Sequence, residues 1–157
     1  MALIAFGSAA ACGGGDEPAT QGRASTEATS ATPENGAGKK ACDLFTPADV
    51  EAFFGAPAKP TSELNHATQC GYWAPETGMA GVTLQISDGG QFSFSWASDQ
   101  MRSMSDVVDV DGLGEAAVWV ADMDMLVALA EDQTHVLSGA GSLDTKRALM
   151  ERILGRL

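Results

Sequence analysis

The side chains of this chain that could do chemistry are two histidines, three cysteines, seven methionines and a long run of acids. Nucleophilic catalysis needs a Ser or Cys beside a His and an acid that orients it. His66 falls in a loop-like stretch, His135 in an alternating, strand-like one, and no Gly-x-Ser-x-Gly turn surrounds any serine. No catalytic constellation is legible, so the chain is expected not to be an enzyme. Gly13-Gly14-Gly15 lacks the Lys and the strand-to-helix setting of a phosphate loop. No cofactor is expected.

Two metal chemistries come into view. Asp109-Val110-Asp111-Gly112 has the look of a calcium loop. An EF-hand would need a further Asp where Val107 stands and a Glu where Val118 stands. Acids nevertheless recur between Arg102 and Lys146 with no Lys or Arg among them. A weak divalent-cation site on Asp109 and Asp111 is one reading, and a solvated acidic rim is the ordinary one. Met101 and Met104, with the nearby pair Met123 and Met125, have spacings used by thioether sites for Cu(I), which His66 or His135 could complete. Filling a core is the commoner use of methionine.

The three cysteines have different settings. Cys12 follows a short apolar run, whereas Cys42 and Cys70 lie in patterned sequence. A Cys42–Cys70 bridge would tie the start of the patterned region to its first strand. For a loop of that size the chain-entropy relation gives roughly 3–4 kcal/mol. Such a pair oxidises outside the cytoplasm.

Bulk charge narrows the partners. The net charge is -12 with only 9 Lys and Arg residues, so clustered phosphate contacts, and with them a nucleic-acid partner, are excluded as an expectation. Electrostatic attachment to anionic lipid is disfavoured for the same reason.

Residues 1–11 are apolar and small, and too short to cross a bilayer core. They have the length of a signal-peptide apolar region. The usual basic start is missing, as it would be if translation began upstream of Met1. Ala9-Ala10-Ala11-Cys12 resembles a bacterial lipobox, with Ala in place of the usual Leu three positions before the cysteine. Cys12 is therefore the expected lipidation site, and the membrane the expected partner through that anchor. Residues 13–40 are mostly Gly, Ala, Ser, Thr, Pro, Glu and Gln, with no aromatic residue. Such a segment cannot bury enough apolar surface to offset its ordering entropy, and reads as a tether with a mean reach of roughly 30 Å.

The elements that must position the candidate residues lie in residues 41–157. Thr46-Pro47-Ala48-Asp49 is a helix start, and Gly55 stops the helix after Val50, Phe53 and Phe54. Residues 69–74 and 82–87 read as strands. Asp88-Gly89-Gly90 has a hairpin signature. Phe92, Phe94 and Trp96 alternate with Ser93 and Ser95, which predicts a third strand with three aromatics on one face. Core packing is the ordinary use of such a row. A ligand pocket lined by Phe92, Phe94, Trp96 and Trp73 is the other. A short helix over 98–105, strands over 116–121, 125–130 and 134–138, and a last helix capped by Ser142 follow. That helix places Lys146, Arg147, Arg152 and Arg156 mostly on its wet side. The two halves echo each other as helix plus three strands. The expected fold is α+β: a largely antiparallel, twisted sheet of about six strands with helices on one face.

Cys42-Asp43-Leu44-Phe45-Thr46-Pro47-Ala48-Asp49-Val50, then Cys70-Gly71-Tyr72-Trp73, then Val110-Asp111-Gly112-Leu113-Gly114-Glu115-Ala116-Ala117-Val118-Trp119 occur in that order. With the lipobox and tether, this resembles the small cell-envelope lipoproteins common in high-GC Gram-positive bacteria, whose globular part is a domain of unknown function. The resemblance runs from residue 9 to residue 157 and supplies no catalytic residues. It implies a surface-tethered module with a binding or sensing role; together with the residues above, the expected function is binding of a small ligand or an envelope protein.

Overall fold

The computed structural model describes residues 39–61, 67–78 and 80–157. Cys12, the predicted tether up to residue 38, and His66 lie outside them.

One helical turn, α1 (Ala41–Leu44), leads into α2 (Pro47–Phe54). The expected start of α2 is present. The Asp49 carboxylate accepts from the Thr46 amide at 3.0 Å and from its hydroxyl at 2.6 Å, while Pro47 occupies a first-turn position that needs no donor. Gly55, with φ of 68°, ends the helix. Val50 is buried, and Phe53 and Phe54 pack edge to face at 4.8 Å. The Cys42–Cys70 disulfide is formed, with Cα atoms 5.1 Å apart.

Among the described residues seven strands make one sheet: β1 (Lys59–Pro60), β2 (Gln69–Ala74), β3 (Ala80–Asp88), β4 (Val107–Asp109), β5 (Ala116–Val120), β6 (Met125–Ala130) and β7 (Gln133–Gly139). Their order is β1-β2-β3-β7-β6-β5-β4 and every neighbouring pair is antiparallel. The architecture is α+β, with seven strands rather than six. β1 and β4 are short edge strands with no strong alternating pattern of their own.

The stretch predicted as a third strand is instead the first half of a helix, α3 (Gly90–Met104). Three physical reasons favour the helix. Phe94, Ser98 and Met101 also fall at helical spacing, and all three are buried. Gly89 and Gly90 take φ of 113° and 50°, which turns the chain out of the sheet instead of folding it back in a hairpin. Finally, β3 is already paired on both sides, with β2 and with β7. A strand at 92–96 could not pair back onto β3 as a hairpin requires.

The helices also cover both faces of the sheet, not one. On the first face α1, α2 and α4 (Leu143–Leu154) pack over Cys70, Tyr72, Leu84, Trp119, Leu126 and Leu137. On the second, α3 lays Phe94 and Met101 against Val118, Val120, Val127 and Leu129. The predicted echo survives only as order. A two-fold axis relating the antiparallel neighbours β3 and β7 would keep their following helices on the same face, yet α3 and α4 lie on opposite faces.

Lys146 departs from expectation too. It is fully buried, not on the wet side of α4. Its ammonium donates to the carbonyls of Asp124 and Gly139 and sits 5.1 Å from the Trp119 ring. It thus pins α4 to the start of β6 and the end of β7.

Candidate functional site

α3 crosses β7 and β6 on its way from the end of β3 to β4, and it leaves part of that sheet face open. Along its uncovered side runs a half-open groove of ≈ 420 Å³. Small-ligand sites fall in the same size range. Strand alternation selects the floor. Val127 of β6, and Thr134 and Val136 of β7, point to the second face, as do Gln85 and Ser87 of β3. Met125 closes one end of the floor and Met101 of α3 forms part of the wall. Phe92 and Trp96, one helical turn apart, stand at the mouth with 81% and 62% of their surfaces exposed. Apolar rings exposed singly are ordinary, but rings that continue an apolar groove form a contiguous patch of the kind that marks binding sites.

The predicted ligand residues are therefore divided. Phe92 and Trp96 line the groove. Phe94 lies on the other side of α3, buried in the core at 6% exposure. At about 100° per helical residue, positions 92 and 96 share a side and position 94 faces away. Trp73 is on β2, beneath the Lys59 ammonium at 5.9 Å, and does not line the groove. Sequence reasoning missed Thr134, Val136, Val127 and Met125. Their alternation was visible, but not which face would stay partly uncovered.

The predicted metal residues do not converge. Met101 is buried in the groove wall, whereas Met104 is exposed at the end of α3. His135 packs on the first face, with the sheet between it and both methionines. Asp109 pairs with Arg102, and the Asp111 backbone carbonyl accepts from Arg147 at 2.9 Å. Asp109, Asp111 and Glu115 border a second depression of ≈ 260 Å³ in the loop where Gly112 and Gly114 turn the chain into β5. Among the described residues no group of three or more His, Cys, Asp or Glu is placed to hold a metal ion.

Two further polar features sit on the first face. Arg156 grips Asp49 through two hydrogen bonds of 2.7 Å and also donates to the Leu44 carbonyl at 2.6 Å. Burial alone would raise the Asp49 pKa; the hydrogen bonds from Arg156 and Thr46 outweigh it and hold the carboxyl at about 2. His135 is fully buried, and neither ring nitrogen has a hydrogen-bond partner among the described residues. Burial pushes its pKa down, opposed only in part by the Ala130 backbone and Glu131, so the ring is neutral. The Asp49–Arg156 pair ties the start of α2 to the segment just past α4.

The fold and groove together define an α+β protein in which a crossover helix leaves an aromatic-rimmed apolar cleft against its own sheet. No protein-family model matches the chain, and neither the curated proteins nor the solved structures contain a match to it. The resemblance to envelope lipoproteins rests on its motifs alone.

Proposed function

We propose that this chain is a surface-tethered binding protein. Cys12 carries the lipid anchor, the following polar segment is the leash, and the disulfide-stapled α+β domain binds a small, largely apolar ligand in the groove beside α3. The observation that carries the binding reading is the pairing of Phe92 and Trp96, exposed on one side of α3, with an apolar floor of Val127, Val136 and Met125. The scattered placement of titratable groups favours binding over catalysis. The groove offers shape and apolar surface, and no side chain in it is arranged as an activated nucleophile or a general base.

Binding is tested by titrating the full chain with the neutral fluorophore phenylnaphthylamine. Saturable binding that weakens at least about tenfold in Trp96→Ala is expected, since a stacked ring contributes on the order of 1–2 kcal/mol. No saturable binding by the unsubstituted chain sinks the reading. The anchor is tested separately by fractionating cells that express Cys12→Ala. Retention of that variant in the membrane fraction removes lipidation from the proposal.

A further inference from the structure

The groove is chemically graded along its length. Strand register sets Ser87 and Thr134 in one cross-strand row, Gln85, Val136 and Val127 in the next row on that face, and Met125 in the third. Rows on one face lie two residues apart, so three rows span about 14 Å. The wall agrees. From Phe92 to Met101 the helix rises about 13.5 Å, and its connections, from the end of β3 to the start of β4, run it along the same rows. The first-row end is polar, with Ser87, Asp88, Ser93 and Thr134. The far end is apolar, with Met101 and Met125.

Thr134 is the informative residue at the polar end. It is only 4% exposed, and its hydroxyl has no hydrogen-bond partner among the described residues. Folding leaves such groups unpaired rarely, because the desolvation they suffer is not offset. One χ1 step carries a threonine hydroxyl to the position its methyl held, and turning this hydroxyl toward the groove breaks no existing bond. Among the described residues no Lys or Arg lines the groove. The Asp88 side chain, next to Ser87 on β3, points to the first face, where its carboxylate accepts from Gln133 at 3.0 Å. An anionic head group would therefore find no counter-charge at this end, whereas a hydroxyl head can pair with Thr134.

We infer that the groove takes an elongated, uncharged amphiphile of the fatty-alcohol or monoacylglycerol class. Its hydroxyl head lies at Thr134, and its hydrocarbon tail runs over Val136, Val127 and Met125. This rests on the binding function proposed above and specifies its ligand.

The experiment displaces phenylnaphthylamine from the full chain with decanol, decanoate or decyl methyl ether. Decanol is expected to compete about tenfold or more better than decanoate, whose charge the groove leaves unpaired, and better than the ether, which cannot donate to the Thr134 hydroxyl. Thr134→Val, with its decanol affinity referred to the fluorophore affinity measured on the same variant, should lose about tenfold for decanol and melt no lower than the unsubstituted chain, because the lost hydroxyl had no partner. Thr134→Ser should restore decanol binding. Equal competition by decanol and decanoate, or unchanged decanol affinity in Thr134→Val, overturns the head-group assignment while leaving an apolar site in place. Absence of fluorophore binding overturns the assignment and the binding function together.

Discussion

Asp49 shows how one residue can serve two elements. Its carboxylate caps α2 through Thr46 and receives the Arg156 guanidinium from just past the end of α4. At 4% exposure the group would be costly if it were not fully hydrogen-bonded. The folded pKa, about 2, lies below the ordinary 3.8. A depressed carboxyl pKa contributes stability that is fully present above the unfolded value and is lost as pH falls through the folded one. The contribution should therefore be complete above about pH 4–5 and fade between there and about pH 2. Asp49→Asn should cost about 2 kcal/mol at neutral pH and flatten that acid limb. Urea unfolding of both proteins across the window checks it, and an unchanged acid limb in the variant would assign the pH dependence elsewhere. The Thr46-Pro47-x-Asp49 cap was legible from local spacing. The Arg156 partner, more than a hundred residues away, was not.

Among the elements, α3 marks where local pattern misleads. Phe92-Ser93-Phe94-Ser95-Trp96 satisfies a period of two, and a strand would set all three rings on one face. As a helix it buries one and exposes two. Phe94→Ala should accordingly cost about 3–4 kcal/mol, and Phe92→Ala less than about 0.5 kcal/mol. Similar losses for the two variants would contradict the helix. α4 holds a second lesson. Lys146 reads as a wet-face residue, yet its ammonium serves two carbonyls on the sheet. Lys146→Met keeps the buried stem and removes the donor, leaving those carbonyls unpaired. It should lower the unfolding free energy by about 2 kcal/mol. A variant as stable as the parent would mean that water can take over those carbonyls. Both errors have one origin. Helical and strand periodicities overlap in short segments, and a long side chain can reverse the sense of the position that carries it.

At the scale of the molecule, the disulfide and the sheet define each other. The bridge joins α1 to β2 across 28 residues of chain, near one edge of the sheet. Replacing both cysteines by alanine should cost roughly 3–4 kcal/mol, read as a lower urea midpoint with an unchanged groove affinity for phenylnaphthylamine. Loss of groove binding in a still-folded variant would show that the staple shapes the site as well as stabilising the fold. The edges of the sheet are short strands, one carrying Pro60 and the other the ion-paired Asp109, which discourages pairing with other chains. By itself the sequence determined what depends on near neighbours: the caps of α2 and α4, five of the seven strands, the α+β class and the cysteine pair. Those features follow from spacing over a few residues, or from counting. Tertiary structure alone decided the rest. It made residues 92–96 helical because β3 had no free edge, sent α3 and α4 to opposite faces, buried Lys146, and left a groove where one crossing helix covers only part of a sheet. No local window contains that information, since each outcome depends on which surfaces other parts of the chain have already occupied.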